Sequence, residues 1–336
     1  MTHAPACTII AEAGVNHNGS AELAFRLVDA AVEAGAHIVK FQTFKADKLV
    51  TKDAPQAAYQ KRNIGEDSGQ FAMLKKLELD DAVFRDLIRY CETKGIGFLS
   101  TPFDEDSARF LVDAGMTSFK VSSGDLTNLP FLRALADYRL PMILSSGMAT
   151  LAELDESVSA LERAGLSIDK LTLLHCTTEY PAPPGEVNLK AMQTIAAAYP
   201  GATIGYSDHT EGIHIPVAAA AMGAAVLEKH FTLDRAMEGP DHKASLEPGE
   251  LKAMVDAVRI VTEALGNGRK APTASELPNR LVARKSIMAR RDIAAGELLS
   301  AENLVARRPG DGISPMRWDD LIGTRATRDY KANEKI

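Results

Sequence analysis

The sequence is poor in the features that mark secreted and membrane proteins. Only three cysteines occur among 336 residues, Cys7, Cys91 and Cys176, and this odd, scattered set predicts a reducing compartment rather than a disulfide framework. The first ten residues, MTHAPACTII, contain no basic segment followed by a long apolar one, so we expect no signal peptide. The longest weakly polar run, around residues 215–227, is too short and too rich in Gly and Ala to span a bilayer. Together these features predict a cytoplasmic protein.

Excess positive charge is also lacking. The net charge is −7 and the pI about 5.7, so neither nucleic acid nor an anionic membrane is an expected partner, because both require a basic surface. A small anionic substrate is still compatible, since it needs only a few local cations. With 46% apolar and 25% charged residues, the composition is that of a globular protein with one large core and an appendage.

Short apolar runs alternate with amphipathic helical patterns up to about residue 265. No glycine fingerprint of the dinucleotide-binding type follows the first run, which disfavours an open doubly wound sheet. Eight such runs predict an α/β fold, a (β/α)8 TIM barrel over residues 1–265. The predicted strands are 8–14, 37–43, 97–102, 118–123, 141–146, 171–176, 202–207 and 225–230.

Three segments depart from this alternation. The connection over about 43–80 is too long for an ordinary loop of a barrel, and it predicts a lid or a substrate wall. Residues 266–283, which include GNGRKAPTASELPN, are rich in Gly, Pro and polar side chains and predict a linker. Residues 284–336 predict a small, compact, β-rich module.

Polar side chains stand at the C-terminal ends of almost all the predicted strands. These ends carry the chemistry in TIM barrels, whereas a barrel end that served stability alone would not need them. We therefore expect one ring of functional side chains: Glu12, Lys40, Gln42, Thr101, Lys120, Ser123, Ser145, Ser146, Thr178, Tyr180, Ser207, His209, Glu228 and His230.

Two histidines occupy neighbouring strand ends within this ring. His209 follows strand seven and His230 ends strand eight, so the two imidazoles are able to share a divalent metal, with water or substrate as further ligands. Nearby carboxylates, Asp208, Glu228 and Asp241, favour this hypothesis. The alternative is a pair of structural, hydrogen-bonded histidines.

The last predicted strand, AVLEKH, is unusual because charged residues end a buried run. Side chains alternate across a strand, so Glu228 and His230 share one face while Lys229 lies on the other. A carboxylate and an imidazole that point together into an interior need partners, because their unpaired burial is costly. We expect Lys229 to be structural.

Two lysines also point into the predicted barrel. Lys40 and Lys120 would repel each other unless an anion lies between them, and with the hydroxyls of the ring they suit a phosphate and a carboxylate. One alternative is that each lysine pairs with a neighbour such as Glu12. Another is a lysine that forms a Schiff base with a carbonyl substrate.

The motifs resemble those of the bacterial sialic acid synthases over almost the whole chain. The resemblance rests on IIAEAGVNHNG, VKFQTF, FLSTPFD, GYSDHTEG, LEKHFTLD and GPDHKASLEP, and SIMARRDIAAGELLSAENLVARRPGDG resembles their antifreeze-like (SAF) domain. It implies a TIM barrel followed by a SAF domain in a domain-swapped homodimer. It also implies a transferase that condenses phosphoenolpyruvate with an N-acetylated mannosamine-type sugar and water, giving a nonulosonic acid and phosphate.

The resemblance also implies roles for individual residues. A divalent metal, usually Mn²⁺ with Mg²⁺ or Co²⁺ as alternatives, would be held by His209 and His230, and the catalytic groups would be Glu12, Lys40 and Glu228. Phosphoenolpyruvate would be bound by Lys40, Thr101, Lys120, Ser123, Ser145 and Ser207. The sugar would be bound by Gln42, Asp125, Thr178, Tyr180 and Asp241. Arg308 would reach into the barrel of the other subunit and bind the sugar there.

The sequence departs from the neuraminate-making members at one wall of the sugar site. It has CTTEYP where they have CTNIYP, so Thr178 replaces an asparagine and Glu179 an aliphatic residue, and Asp125 replaces a glutamate. The TTEYP form resembles synthases of legionaminic acid, whose sugar is 2,4-diacetamido-2,4,6-trideoxymannose. The sequence therefore favours this sugar over N-acetylmannosamine.

Two other functions compete with this one. A synthase of the DAHP or KDO 8-phosphate type would need a second cluster of cations for a sugar phosphate, which the sequence does not offer beyond Lys40 and Lys120. A non-catalytic ice- or carbohydrate-binding protein would use the C-terminal module. That module carries the charged stretches ARRDIAAGE and ARRPGD, which do not suit a flat, weakly polar ice-binding face.

Overall fold

The chain forms two compact units, Met1–Gly266 and Asn267–Ile336, in a computed structural model that describes residues 7–65 and 69–336. All eight predicted strands occur in the first unit, with ends within two residues of the prediction. They are β1 (Thr8–Gly14), β2 (Ile38–Thr43), β3 (Gly97–Pro102), β4 (Phe119–Val121), β5 (Met142–Ser145), β6 (Leu171–Cys176), β7 (Thr203–Asp208) and β8 (Val226–His230).

These strands form one parallel sheet that curves into a barrel. The order is β3-β2-β1-β8-β7-β6-β5-β4, and β3 and β4, at the two ends of this order, lie side by side. The predicted TIM barrel is confirmed. All the strands run in the same direction, so their C-terminal ends meet at one end of the barrel.

Helices cover the outside of the barrel. The helices of the first unit are α1 (Ala21–Ala34), α2 (Ala46–Leu49), α3 (Ala58–Ile64), α4 (Gln70–Leu77), α5 (Asp81–Lys94), α6 (Glu105–Asp113), α7 (Leu129–Ala136), α8 (Leu151–Arg163), α9 (Lys190–Ala198), α10 (His214–Ala221) and α11 (Pro248–Leu265). In the part of the chain that the structure describes, no helix is both long and apolar enough to cross a membrane.

Helix α1 shows how the sequence sets these boundaries. The hydroxyl of Ser20 accepts a hydrogen bond from the backbone N–H of Leu23, which caps the first turn. Gly35 ends the helix at φ 79°, a left-handed conformation that glycine adopts without a Cβ penalty. The face that packs on the barrel is fully apolar, and a buried leucine or valine side chain contributes roughly 1.5–3 kcal/mol. It comprises Ala24, Leu27, Val28, Ala30, Ala31 and Ala34.

The long connection between β2 and α5 is not an irregular loop. It contains α2, α3 and α4, and these form a separate apolar cluster beside the end of the barrel. The buried members of this cluster are Val15, Phe44, Ala46, Met73, Leu74 and Leu77. The insertion is therefore a folded wall with its own small core.

The second unit contains α12 (Glu276–Ala283), the antiparallel pair β9 (Ser286–Ala289) and β10 (Leu304–Arg307), and α13 (Trp318–Leu321). Helix α12 lies inside the stretch that composition predicted as a linker, so part of that stretch is helical. The unit has its own apolar core, which explains why so short a segment is compact. Its buried members are Ile287, Ala289, Ile293, Leu299, Leu304, Ala326 and Tyr330.

Candidate active site

The C-terminal ends of the strands surround a cavity of about 320 Å³. Most of the ring predicted from the sequence lines it, and the α2–α4 insertion closes one side with Leu49, Val50, Tyr59, Gln60, Met73, Leu74 and Leu77. The predicted residues in its lining are Glu12, Lys40, Gln42, Thr101, Lys120, Ser123, Ser145, Thr178, Tyr180, Ser207, His209, Glu228, His230 and Asp241.

Two lysines and two glutamates form the floor of the cavity, and all four side chains are buried. Lys40 Nζ lies 2.9 Å from Glu12 Oε2 and 3.7 Å from Glu228 Oε2. Lys120 Nζ lies 3.5 Å from Glu228 Oε1, so Glu228 is the carboxylate between the two ammonium groups. Carboxylates thus relieve the predicted repulsion of the lysines, since each lysine pairs with a neighbouring glutamate. We call Glu12, Lys40, Lys120 and Glu228 the charged floor.

Hydroxyl groups surround the charged floor. Lys40 Nζ donates to Thr101 Oγ1 at 3.1 Å, and Lys120 Nζ donates to Ser145 Oγ at 2.8 Å. The Ser207 hydroxyl donates to Glu228 Oε1 at 3.0 Å. Lysine donors with nearby hydroxyls are a common arrangement for binding a phosphate or a carboxylate.

Gly147 packs closely against Ser123 and Thr178 of the cavity lining. Its backbone N–H donates to Ser123 Oγ at 3.0 Å. A Cβ at this position would lie 2.2 Å from Thr178 Oγ1 and 2.8 Å from Ser123 Oγ, so no other residue fits without a shift. The chain therefore keeps a tight polar corner here.

The two glutamates of the floor differ in protonation. Burial raises the pKa of Glu12 to about 7, although Lys40 opposes this shift. Burial acts in the same direction on Glu228, but Lys120, Lys40 and the Ser207 hydroxyl outweigh it and hold the pKa of Glu228 below its usual value. Two carboxyl groups whose environments separate their pKa values are typical of an acid/base residue beside a permanent anion.

The lysines differ as well. Although burial opposes it, Glu12 and Glu228 raise the pKa of Lys40, so this amine stays protonated at neutral pH. A Schiff-base lysine needs an unprotonated amine, which disfavours this role for Lys40. Burial lowers the pKa of Lys120.

His209 and His230 lie side by side at the cavity, with ring centroids 5.4 Å apart. His209 Nδ1 donates to the carbonyl of Thr177 at 2.6 Å, which leaves Nε2 as the unprotonated nitrogen. His230 Nδ1 is buried and has no hydrogen-bond partner among the described residues. Burial lowers the pKa of His209 to about 4 and that of His230 well below its usual range, so both imidazoles are neutral at pH 7.

This donor set fits a divalent cation that takes its other ligands from water or substrate. Neutral imidazoles are good metal ligands, and an orphaned buried nitrogen is costly without a partner. The described residues contain no cluster of three or more His, Cys, Asp or Glu side chains able to hold a metal by themselves. Asp208, one of the carboxylates that favoured a metal, faces away from the cavity and contacts Lys229.

Aromatic side chains form the side of the cavity next to the histidines. Tyr180 contacts the ring of His209, with centroids 4.0 Å apart, and stacks on Tyr59 of α3 at 4.8 Å. Asp241 also lines the cavity, and burial raises its pKa to about 7. Tyr59 was not identified from the sequence. The only signal for it was that an aromatic residue occurs inside the long insertion.

Helix α3 is held against the loop after β6 by polar contacts. Asn63 Nδ2 donates to the carbonyls of Tyr180, at 3.2 Å, and Pro240, at 2.7 Å. Arg62 forms an ion pair with Glu179 at 2.7 Å. The unusual Glu179 therefore contacts the helix instead of lining the cavity. We call α3 together with the loop 177–182 the α3 wall.

Two predicted sugar-binding residues do not line this cavity. The Asp125 carboxylate accepts hydrogen bonds from Ser122 Oγ at 3.1 Å and Asn128 Nδ2 at 3.2 Å, so a local turn uses it. Arg308 belongs to the second unit, where it is exposed and its Nε donates to the carbonyl of Ala283 at 2.9 Å. Cys176 does line the cavity, with Sγ 3.2 Å from Ser123 Oγ, and was not predicted.

Comparisons with known proteins show the family to which the chain is related. The profile of the NeuB family matches residues 27–270, and the profile of the SAF domain matches residues 284–336. The chain is 49% identical to the N,N'-diacetyllegionaminic acid synthase of Campylobacter jejuni over 98% of both chains. It is 48% identical to the synthase of that name from Legionella pneumophila, over 98% of this chain and 93% of the other.

A solved structure is similar over most of the chain. The N-acetylneuraminic acid (sialic acid) synthetase of Leptospira borgpetersenii, crystallised with citrate, is 36% identical, with a TM-score of 0.72. The match covers 82% of this chain and 90% of that chain.

Proposed function

Because the chain belongs to the NeuB family and carries a SAF domain, we propose that it makes N,N'-diacetyllegionaminic acid. It is a synthase that condenses phosphoenolpyruvate with an N-acetylated sugar. The proposed sugar is 2,4-diacetamido-2,4,6-trideoxymannose. Support for it comes from the identity of 49% to a synthase of that product and from Thr178 and Glu179, which depart from the neuraminate-making pattern.

The charged floor and its hydroxyls would bind phosphoenolpyruvate. Lys40 and Lys120 supply two buried cations, and Thr101, Ser145 and Ser123 lie within the same corner of the cavity. In the described lining these two lysines are the only Lys or Arg side chains, so a second phosphate on the sugar would have no cation of its own. This observation favours an unphosphorylated acceptor over the sugar phosphates of the alternative function.

The sugar would lie between the histidines and the α3 wall. His209 and His230 would hold the divalent metal, for which Mn²⁺ is the proposed ion, and when bound it would polarise the aldehyde oxygen of the open-chain sugar. Tyr180, Gln42 and Asp241 would orient the sugar beside them. Thr178 Oγ1 is buried without a hydrogen-bond partner among the described residues, so it is free to contact a sugar substituent.

The reaction forms one C–C bond and breaks one C–O bond. C3 of phosphoenolpyruvate attacks the aldehyde carbon, and the cationic character that develops at C2 is stabilised by the ionised Glu228. Water then adds at C2, and Glu12 takes and returns its proton because its pKa lies near 7. The C2–O bond to phosphate breaks. One proton of the water remains on the former aldehyde oxygen and the other leaves with phosphate.

The test is phosphate release from phosphoenolpyruvate with Mn²⁺ and either 2,4-diacetamido-2,4,6-trideoxymannose or N-acetylmannosamine. We expect release with the first sugar to be faster and EDTA to abolish it. A faster reaction with N-acetylmannosamine would overturn the choice of sugar but not the reaction. Phosphate release that persists in EDTA after dialysis would overturn the proposal that the reaction requires a metal.

We also propose a domain-swapped homodimer in which Arg308 of one subunit reaches the other subunit's barrel. The resemblance supports this proposal, and mixed dimers test it. Co-expressed K40M and R308A chains should regain about a quarter of wild-type activity if Arg308 acts across the dimer, because half of the dimers then contain one intact site. No recovery over the separate variants would show that Arg308 acts within its own chain or not at all.

A further inference from the structure

A second group of buried polar side chains, which includes one ion pair, lies on the outer face of β7 and β8, behind the histidine pair. It consists of Asp208, Lys229, Thr210 and Tyr206, each with 0% of its surface exposed. None of these side chains lines the cavity, so the reaction does not use them directly. Burial of an ion pair is costly, and apolar residues of similar volume often stabilise a fold as well or better. Stability alone therefore gives a weak reason for the pair.

The geometry of this group is closed. Asp208 Oδ2 lies 2.6 Å from Lys229 Nζ, and Asp208 Oδ1 accepts a hydrogen bond from Tyr206 OH at 2.9 Å. The Thr210 hydroxyl donates to the same carboxylate at 2.9 Å, and Lys229 also donates to the carbonyl of Thr210. The carboxylate thus contacts residues on both sides of His209.

Chain position links this group to the histidines. Asp208 and Lys229 are register partners on β7 and β8. His209 follows Asp208 directly, and His230 follows Lys229 directly. Side chains alternate across a strand. The ion pair therefore joins the two strands on the outer face, and the histidine that follows each of its members points to the inner face. A change in the distance between Asp208 and Lys229 would change the separation and tilt of the two imidazole rings.

We propose that the Asp208–Lys229 pair is a positioning device that sets the geometry of His209 and His230 for one shared cation. This inference rests on the metal site of the proposed function. Residues that orient metal-bound histidines without touching the metal commonly change metal affinity by 10- to 100-fold when they are substituted. In most metal sites such residues bond to the imidazole itself, whereas here the pair acts through the backbone of the two strands.

The experiment compares Mn²⁺ binding, by the EPR signal of free Mn²⁺, in the full-length wild type and four variants. K229M removes the ion pair. Y206F removes one hydrogen bond to Asp208 and serves as the second test variant if K229M fails to fold. K94M is the matched control, since it removes the surface pair between Lys94 and Asp29, whose atoms lie 2.6 Å apart. S157A, which removes a buried hydrogen bond to the carbonyl of Leu126, controls for lost stability.

We expect Mn²⁺ affinity to fall about 10- to 100-fold in K229M and by a smaller factor in Y206F, with PEP affinity in EDTA within twofold of wild type. Mn²⁺ affinity in K94M and S157A should equal that of the wild type. Lower melting temperatures with unchanged Mn²⁺ affinity in both K229M and Y206F would overturn the positioning role and leave the metal site intact. A wild type that binds no Mn²⁺ would overturn both proposals.

Discussion

The charged floor and the α3 wall face the same cavity but are built in opposite ways. The floor consists of charged side chains that are at most 4% exposed, joined by ion pairs at the ends of parallel strands. In the wall, the ion pair between Arg62 and Glu179 is 57% and 39% exposed, and it joins a short helix to a loop. Buried charges without a ligand are costly, whereas exposed pairs contribute little. This difference suits the proposed function, in which the floor would carry the chemistry common to all substrates and the wall would select the sugar.

This contrast predicts where substitutions act. A change in the floor should lower turnover with any sugar, because it removes charge that the proposed reaction uses. A change in the wall should alter sugar affinity with little effect on phosphoenolpyruvate. Four predictions, taken from the largest expected effect to the smallest, concern the floor, the wall and Asp241, which lines the same cavity.

The largest effect is expected for E228Q in the floor. The amide keeps the shape and the contact with Ser207 but loses the negative charge that we propose stabilises C2, so kcat should fall about 10²- to 10³-fold. The KM for phosphoenolpyruvate should stay the same or fall, because Lys40 and Lys120 lose a competing anion. Steady-state phosphate release measures both constants. A kcat within tenfold of wild type would contradict the role of Glu228.

The next effect concerns Asp241 and pH. Burial raises the pKa of Asp241 to about 7, whereas the unfolded chain has its usual value of 3.8. Between these values the folded state holds a proton on Asp241 that the unfolded state has lost, so the contribution of Asp241 to the free energy of unfolding falls as pH rises, by about 1.4 kcal/mol per pH unit. In D241N this loss should be absent. Urea unfolding at pH 5 and pH 7 measures it, and equal pH dependence in both proteins would contradict the shift.

A smaller effect is expected for Y59A in the wall. The substitution removes the ring that stacks on Tyr180, a contact worth roughly 0.5–1.5 kcal/mol, so the KM for the sugar should rise up to about tenfold. Both kcat and the KM for phosphoenolpyruvate should stay within about twofold. A fall in kcat as large as that of E228Q would mean that the wall takes part in the chemistry.

The smallest effect is expected for the Arg62–Glu179 pair. Exposed pairs contribute about 0.2–1 kcal/mol, so the double-mutant cycle of R62A and E179A on the sugar KM should give a coupling in this range. The coupling should decrease at high salt, since exposed charges are screened. A coupling above 2 kcal/mol would contradict this prediction and show that the pair contributes strongly to sugar binding.

The same contrast explains how much of the site could be predicted from the sequence. Lys40, Lys120, Glu228 and His230 belong to regular strands, whose alternation and common direction place their side chains without further information. The contacts among them, and hence the separate protonation of Glu12 and Glu228, depend on distances of a few Å that no periodicity gives.

The wall could be predicted much less. Length alone marked residues 43–80 as a lid or wall, but nothing in the pattern indicated that Tyr59 would stack on Tyr180. Glu179 looked like part of the sugar pocket because it departs from a family pattern, yet it pairs with Arg62. Asp125 also departs from a family pattern, yet its carboxylate accepts hydrogen bonds within a short turn and does not line the cavity. Irregular segments are placed by tertiary contacts, which one sequence does not display.

The most direct test of the division between floor and wall is a ratio of kcat/KM values, for 2,4-diacetamido-2,4,6-trideoxymannose over N-acetylmannosamine. It is compared in the wild type, E228Q in the floor and T178N, which restores the asparagine of the neuraminate-making members. The division predicts that E228Q lowers both values and keeps the ratio within about threefold, because the transition-state charge is common to both sugars. T178N should shift the ratio towards N-acetylmannosamine by about tenfold, the effect of one altered pocket contact. A ratio that changes in E228Q and stays constant in T178N would contradict the division.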